Sequence, residues 1–151
     1  MFPTPVLCWS GFAILVAVKD AHSKDVVHRD IKPNNVTVND DSRAFLVDFG
    51  ICADESDSGL TSTMEALGNR SFTAPECEPG SDVEIGTASD VYSLGKLLYW
   101  IASDGKKLPQ QRFDRDKLTV TDVHARQYIS ILIEHTVLED PRQRISATEL
   151  L

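Results

Sequence analysis

Cysteine is scarce in this chain, and its spacing suits neither a metal site nor a disulfide framework. Cys8, Cys52 and Cys77 are the three cysteines among 151 residues. An odd count without zinc-ligand intervals favours reduced thiols, as in a cytosolic protein. We therefore expect a cytoplasmic chain.

Long hydrophobic runs are also lacking. The most apolar run, residues 6–18, ends at Lys19 and Asp20, short of the roughly 20 residues that a membrane-spanning helix needs. No Lys or Arg precedes Lys19, so the positive region of a signal peptide is missing. We expect a buried helix and no membrane segment.

Positive charge is in the minority. The chain has 15 Lys and Arg against 23 Asp and Glu, a formal net charge of -8. Proteins that bind nucleic acid by neutralising phosphates need the opposite balance, so no nucleic-acid partner is predicted. The acidic residues that cluster from Glu76 to Glu84 favour a protein partner with basic segments.

The length suits one domain with its own core.

The apolar pattern predicts a mainly helical chain with one small β hairpin. Residues 51–75 lack periodicity and are predicted to form a long loop. Thr87 and Asp90 have the spacing of a capping box at a helix start. Helices are predicted over residues 12–22 (buried all round), 87–102 and 121–137, with a last one from Ser146. Strands are predicted at Val26-Val27, 36–38 and 45–47, the last two joined by a turn at 39–42.

The hairpin brings two oxygen-bearing side chains together. If Asn39 pairs with Ala44, antiparallel pairing places Asn35 opposite Asp48, with Cβ atoms about 5 Å apart. Magnesium prefers a few hard oxygen ligands and completes its shell with water and phosphate. The alternative is that both residues only cap the hairpin ends, but the joint pattern favours a magnesium–nucleotide site.

Two charged residues lie in the loop that enters the hairpin. Asp30 is five residues before Asn35 and could accept a proton from an incoming hydroxyl group. Lys32 could offset charge on a transferred phosphoryl group. The alternative for each is a solvated loop charge.

Five motifs follow one another along the chain. In order they are HRDIKPNN (28–35), DFG (48–50), APE (74–76), SDVYSLG (89–95) and DPRQR (140–144). Together they resemble the eukaryotic-type (Hanks-type) serine/threonine protein kinase family, over about residues 12–151. The first two resemble the family's catalytic and magnesium loops. The others resemble its APE motif, the start of its central F helix, and the segment whose last arginine pairs with the APE glutamate.

The resemblance implies a chemical role for four residues. Asp30 would be the catalytic base, and Lys32 would contact the γ-phosphate of ATP. Asn35 and Asp48 would hold Mg²⁺. The cofactors implied are therefore ATP and Mg²⁺.

The resemblance also implies supporting roles. Asp90 would hold the backbone of the loop that begins at His28, and Arg29 would bind a phosphorylated or acidic activation loop. Glu76 and Arg144 would form a buried ion pair that anchors the activation segment. The remaining motif residues in this group are His28, Phe49 and Gly50.

Lys32 indicates the substrate class. The HRDIKPxN form resembles that of serine/threonine kinases, whereas tyrosine kinases usually carry alanine and arginine in this loop. Asn69 stands where many of these kinases have threonine, a change that an amide donor can tolerate. Residues 51–73 would be the activation segment, and Thr61 or Thr63 is a hypothetical phosphorylation site. The alternative is that these are ordinary loop hydroxyls.

The family's small lobe has no counterpart in the sequence. The eight glycines include no G-x-G pair, and Val16-Ala17-Val18-Lys19 resembles the strand that carries the small-lobe lysine only superficially. Lys19 is too close to His28 to leave room for the rest of that lobe. We therefore expect residues 1–151 to be a kinase-like large lobe (C-lobe), truncated before Met1 and also at its C-terminal end, with the small lobe as a missing partner.

Three functions are compatible with these motifs. The favoured one is transfer of the ATP γ-phosphate to Ser/Thr hydroxyls of protein substrates, with the isolated chain weakly active or inactive. The alternative is a catalytically inactive single-lobe binding or scaffold module. A small-molecule phosphotransferase is disfavoured, because such relatives usually lack the APE segment and the F-helix aspartate.

Overall fold

The computed structural model describes residues 4–41, 43–49, 71–106 and 113–150, with side chains from Phe12 onward. Within these residues it has three α-helices and one two-stranded sheet. They are α1 (Thr4–His22), β1 (Val36–Val38), β2 (Ala44–Leu46), α2 (Thr87–Ala102) and α3 (Val123–Thr136). The predicted mainly helical fold with a small hairpin is confirmed for the described part, which contains no helix with the length and hydropathy to span a membrane.

The α2 helix is the centre of the core. Its bounds, Thr87–Ala102, match the prediction because its apolar residues recur at helical spacing. One face packs with α1 and β2, and the other packs with α3. The N-cap is Gly86, with no side-chain capping bond. The predicted capping box is therefore wrong, because the carboxylate of Asp90 is used elsewhere.

The α1 helix begins at Thr4 rather than at residue 12. Its buried side chains include Ile14, Leu15 and Val18, and the helix packs against β2 and α2. Phe12 and Val16 are 55% and 41% exposed. The prediction of a helix buried all round is therefore wrong, because these neighbours cover only one of its faces. Lys19 lies in the last turn of α1, as predicted.

A tight reversal follows α1. The N–H of Asp25 donates to the carbonyl of His22 at 3.1 Å, and the N–H of Val26 donates to the carbonyl of Ala21 at 3.0 Å. Asp25 has a φ of 57°. These are the bonds and the left-handed residue of a Schellman motif, which usually has glycine at this position. The predicted Val26-Val27 strand is wrong, because this reversal uses the Val26 N–H.

The hairpin is present, but its register differs by one residue from the prediction. The N–H of Asn39 donates to the carbonyl of Arg43, and the Asn39 side chain accepts the Arg43 N–H at 2.9 Å. The turn is therefore one residue shorter than predicted. Asn35 is therefore paired with Val47, not with Asp48. The strand pairs are Val36 with Leu46, Thr37 with Phe45, and Val38 with Ala44.

The C-terminal part follows the prediction less closely. The α3 helix spans Val123–Thr136, slightly shorter than the predicted 121–137. Its N-cap, Asp122, accepts the N–H of Ala125 at 2.7 Å. Ser146 and Glu149 bond to each other, yet residues 147–150 form a turn. The predicted last helix is therefore not seen in the described residues.

Candidate active site

The loop of residues 28–35, which we call the His28 loop, is attached to the first turn of α2. The carboxylate of Asp90 accepts the N–H of His28 through Oδ2 and the N–H of Arg29 through Oδ1, both at 2.7 Å. Arg29 has a φ of 68°, in the left-handed region that disfavours a side chain. Two charge-assisted hydrogen bonds, donated by backbone N–H groups to one buried carboxylate, thus hold this conformation.

His28 joins the loop to the end of β2. Its Nε2 lies 3.0 Å from the carbonyl oxygen of Val47, and its Nδ1 accepts the N–H of Asp30 at 3.3 Å. Because a carbonyl only accepts, Nε2 carries the proton and Nδ1 is the bare nitrogen. The ring centroid of Phe49 lies 4.6 Å from that of His28. Residues 47–49 and the loop are therefore held together by this one imidazole.

Asp30 has two donors on the same oxygen. Nζ of Lys32 lies 2.7 Å from Oδ2, and Nδ2 of Asn35 lies 2.9 Å from it. Nδ2 of Asn35 also donates to the carbonyl of Asp30 at 2.7 Å. The Asp30 side chain is 50% exposed, whereas that of Lys32 is 15% exposed. The structure therefore brings three predicted site residues together, with Asp30 open to solvent.

Asn35 and Asp48 carry oxygen ligands that suit magnesium. Both partners of the Asn35 amide are acceptors, so Nδ2 must face Asp30 and Oδ1 is directed away from it. Asp48 follows the Asn35–Val47 pair, is exposed, and has a φ of 57°. One amide oxygen and one carboxylate fit Mg²⁺, which takes its other ligands from water and phosphate. The two residues are close along the hairpin but are not directly opposed.

The predicted metal site has few protein ligands. No group of three or more His, Cys, Asp or Glu side chains in the described ranges is arranged to hold a metal ion. A magnesium ion bound by Asn35 and Asp48 would thus take its remaining ligands from water and phosphate oxygens.

Glu76 and Arg144 form an ion pair that is almost fully buried. Nη1 of Arg144 contacts Oε1 of Glu76 at 2.5 Å, and Nη2 contacts Oε2 at 2.8 Å. The hydroxyl of Ser89 also donates to Oε1 at 2.8 Å. Burial alone would raise the pKa of Glu76, but the hydrogen bonds from Arg144 and Ser89 hold that pKa below its ordinary value. The carboxylate is therefore charged in the folded protein at neutral pH.

The guanidinium of Arg144 has further partners. It donates to the carbonyl oxygens of Leu138, Glu139 and Ala88. It also lies over the ring of Tyr92, 4.9 Å from the centroid. Burial raises the pKa of Tyr92 to about 12. Arg144 thus connects the segment after α3 to the segment that contains Glu76 and to the start of α2.

Three residues at this site, His22, Ser89 and Tyr92, were given no role from the sequence. Ser89 and Tyr92 lie inside a recognised motif but were given no role. Nε2 of His22 lies 2.9 Å from Oδ2 of Asp90. The two residues are 68 positions apart, so no local spacing could have indicated this pair.

Some predicted residues lie outside the described part. Gly50 and residues 51–70, the central part of the predicted activation segment, are among them, so their predicted roles stay predictions. These include Asn69 and the hypothetical phosphorylation sites Thr61 and Thr63.

Comparison with known proteins finds matches to protein kinases. The model of the protein kinase domain matches residues 11–151. The chain is 42% identical over 85 residues to the serine/threonine-protein kinase PknD of Mycobacterium tuberculosis, covering 56% of this chain and 12% of PknD. It is 38% identical over 101 residues to the serine/threonine-protein kinase AfsK of Streptomyces griseus, covering 67% and 12%.

A vertebrate protein matches over more of the chain. The maternal embryonic leucine zipper kinase of Danio rerio is 30% identical over 146 residues, covering 91% of this chain and 21% of that protein. The chain thus spans 12% of the length of the two bacterial relatives and 21% of the length of this one.

Proposed function

The chain belongs to the serine/threonine protein kinase family, and we propose that it supplies the catalytic loop of an ATP- and Mg²⁺-dependent kinase acting on Ser or Thr hydroxyls of proteins. The observation that carries this proposal is the arrangement of Asp30, Lys32 and Asn35. A half-exposed carboxylate has a lysine and an amide on one oxygen. A base that acts beside a phosphoryl group needs an accessible carboxylate and a positive charge close to it.

Asp30 is the proposed catalytic base. Since Lys32 and Asn35 both contact Oδ2, the other oxygen, Oδ1, is the proposed acceptor of the substrate hydroxyl's proton. The same two contacts fix the orientation of the carboxylate. The positive Nζ of Lys32 also offsets negative charge on the phosphoryl group beside it, where electrostatic stabilisation contributes most to catalysis.

Asn35 and Asp48 are the proposed magnesium ligands. Their oxygens fit a hard cation. The bond from the N–H of Val47 to the carbonyl of Asn35 fixes the backbone of Asn35 beside the residue that precedes Asp48. When bound, Mg²⁺ would neutralise phosphate charge and orient the phosphates. The contact between His28 and Phe49 supports this role, because it holds Asp48 next to the loop that contains Asp30.

The described residues are proposed to be the large lobe of the kinase domain. The mainly helical architecture, with one hairpin between the two site loops, supports this assignment. A small lobe and a protein substrate are the proposed partners. The exposed acidic residues Glu78, Asp82 and Glu84 suit a substrate with basic segments.

Phosphotransfer from radiolabelled ATP tests the proposal directly. The wild-type protein, supplied with a small lobe and Mg²⁺, should label serine and threonine of a basic model protein, as phosphoamino-acid analysis would reveal. Asp30→Asn should lower kcat by about 10²- to 10⁴-fold. Asp41→Asn, a substitution in the exposed hairpin turn, is the matched control and should leave the rate unchanged.

Three results would contradict the proposal. Equal rates for Asp30→Asn and Asp41→Asn would remove Asp30 from the chemistry, and phosphotyrosine as the sole product would change the substrate class. Absence of any transfer with a small lobe present would favour the inactive binding module instead.

A further inference from the structure

We propose that Lys96 is a positioning residue for Arg144 and acts through the ring of Tyr92. Lys96 lies inside α2, directly after the SDVYSLG motif, and is 3% exposed. Lysine is almost never buried to this degree unless its charge is compensated. The inference rests on the proposed function for its catalytic meaning, whereas its structural basis is the way in which two buried cations are held.

Two cations contact one buried aromatic ring. Nζ of Lys96 lies 5.4 Å from the centroid of the Tyr92 ring, and Cζ of Arg144 lies 4.9 Å from the same centroid. Both distances are within the roughly 6 Å over which an aromatic face attracts a cation. Tyr92 is 4% exposed, so little water screens either attraction. The ring therefore couples the position of one cation to that of the other.

The two positive charges need anions, because cations that share one ring also repel each other. Arg144 has Glu76, which it contacts through both of its terminal nitrogens. For Lys96 the anion is the carboxylate of Glu139. Burial lowers the pKa of Lys96 below its ordinary value, and the negative charge of Glu139 opposes that effect. Anion, cation, ring, cation and anion thus follow one another from Glu76 to Glu139.

Glu139 links Lys96 back to Arg144. Its backbone carbonyl accepts Nη2 of Arg144 at 3.1 Å, and the carbonyl of the preceding residue, Leu138, accepts Nε at 2.7 Å. The attraction between the Glu139 carboxylate and Lys96 therefore holds the segment that presents both carbonyls against α2. Without the charge of Lys96, the ring and the carbonyls that orient the guanidinium are less restrained. Arg144, and through it the segment that contains Glu76, should then become more mobile.

Two substitutions of Lys96 separate charge from packing. Lys96→Met removes the charge and keeps an unbranched side chain, whereas Lys96→Arg keeps the charge. The measurement is exchange of the Arg144 Nε–H with solvent, by NMR in the ¹⁵N-labelled chain without nucleotide. Lys96→Met should raise this rate at least about tenfold, because the hydrogen bond to Leu138 opens more often. Lys96→Arg should keep the rate within about threefold of wild type, because a guanidinium is also attracted by an aromatic face.

Lys106→Met is the matched control. It makes the same chemical change at an exposed lysine just after α2 and should leave the Arg144 exchange rate as in wild type. The backbone amides of Leu94 and Leu97, in the core of α2, should not exchange faster in any of the three variants.

Three results would overturn the inference. Wild-type Arg144 exchange in Lys96→Met would show that Lys96 does not position Arg144. Equal acceleration of the Arg144 Nε–H and of the α2 core amides would reveal a general loss of stability instead. Acceleration in Lys96→Arg as large as in Lys96→Met would remove the charge from the explanation.

A measurement on the wild-type chain covers the case in which Lys96→Met does not fold. At pH 7 the ¹⁵N chemical shift of Lys96 Nζ should be that of an ammonium ion. The protons on Cε of Lys96 should be shifted upfield by the Tyr92 ring. A neutral amine, or Cε protons at their ordinary shifts, would contradict the proposed contact.

The design separates this inference from the proposed function. Exchange at Arg144 is measured without ATP, so it tests Lys96 even where no phosphotransfer is detected. In an active kinase, Lys96→Met should raise KM for the protein substrate while KM for ATP changes little, because Glu76 follows the predicted activation segment and lies outside the hairpin. Lys96→Arg should restore the wild-type KM.

The two proposals fail in different ways. An active kinase with unchanged Arg144 exchange and unchanged KM in Lys96→Met would sink the positioning role alone. A protein with the expected exchange but no transfer would contradict only the proposed function.

Discussion

Two buried carboxylates, Asp90 and Glu76, organise the site at the scale of single residues. Each lies in a protein interior where an unpaired charge would cost several kcal/mol. Asp90 is surrounded by donors from the His28 loop and from α1, and Glu76 by donors from Arg144 and Ser89. Removing one partner therefore leaves the other buried and incompletely paired. A single substitution at such a pair should change the free energy of unfolding measurably.

Glu76→Gln should destabilise the folded chain by about 3 kcal/mol at pH 7, because it leaves the buried guanidinium of Arg144 without a counter-charge. The pKa of Glu76 in the folded state lies below its ordinary value of 4.5. The ionised carboxylate therefore stabilises the fold fully above about pH 4.5, and this stabilisation is lost as pH falls through the folded-state pKa. Urea unfolding at a series of pH values should show a deficit that shrinks below pH 4.5.

Glu84→Gln is the control for that experiment. Glu84 is exposed in the same acidic stretch, so its loss should change the free energy of unfolding by less than about 0.5 kcal/mol at pH 7. A Glu76→Gln deficit that stays constant from neutral to acidic pH would contradict a stabilising role for the Glu76 charge.

At the scale of elements, local pattern and local spacing determined what could be predicted. Helix α2 was predicted to its ends because its apolar residues recur at helical spacing over four turns. The grouping of Asp30, Lys32 and Asn35 in one loop was also visible, since all three lie within six residues. The hairpin register was missed because one hydrogen bond, from the backbone N–H of Arg43 to the side chain of Asn39, helps to close the shorter turn.

Contacts between distant elements could not be read from the pattern. His22 and Asp90 come together only because α1 and α2 pack side by side. The same limit applies to α1, whose exposed and buried faces depend on which elements lie beside it. Sequence periodicity identifies an apolar helix, but its burial depends on tertiary neighbours.

The crossing of α2 and α3 depends on Gly95. A Cβ atom at this position would overlap Oγ1 of Thr136 and lie 2.7 Å from Cγ2 of Val137. Gly95→Ala should therefore push the helices apart and destabilise the chain by about 1–3 kcal/mol. Thermal unfolding followed by circular dichroism would measure the loss as a lower midpoint.

Gly86→Ala is the matched control for this prediction. An added Cβ at Gly86 meets no atom within 4 Å, so only a capping effect of about 1 kcal/mol or less is expected. An unchanged midpoint for Gly95→Ala would mean that the two helices do not need this close approach.

At the scale of the whole molecule, just over half of the large apolar side chains exposed in the described part lie between α1 and the end of the hairpin. Six of the eleven large apolar residues exposed in the described part belong to α1, the His28 loop entry or the hairpin region. They are Phe12, Val16, Val26, Val38, Phe45 and Phe49. Exposed apolar surface of this kind commonly marks a contact with another protein surface, which agrees with the proposed need for a second lobe.

We expect the chain to self-associate through this region when nothing covers it. Phe12 and Val16 are four residues apart and share one face of α1. The double substitution Phe12→Gln/Val16→Gln removes two exposed apolar side chains from that face and leaves the buried residues Ile14, Leu15 and Val18 unchanged. It should shift the sedimentation-velocity distribution from oligomers toward monomer, because association driven by apolar burial scales with the area removed from water.

Val123→Gln/Ile131→Gln is the control, since both residues are exposed and belong to α3 rather than to α1. It makes the same chemical change but should leave the oligomer fraction as in wild type. If both double variants reduce association equally, general surface hydropathy rather than the α1 face drives it. If the wild-type chain is already monomeric at high concentration, the exposed face of α1 does not drive self-association. The expectation that a second lobe covers this face would then lose its support.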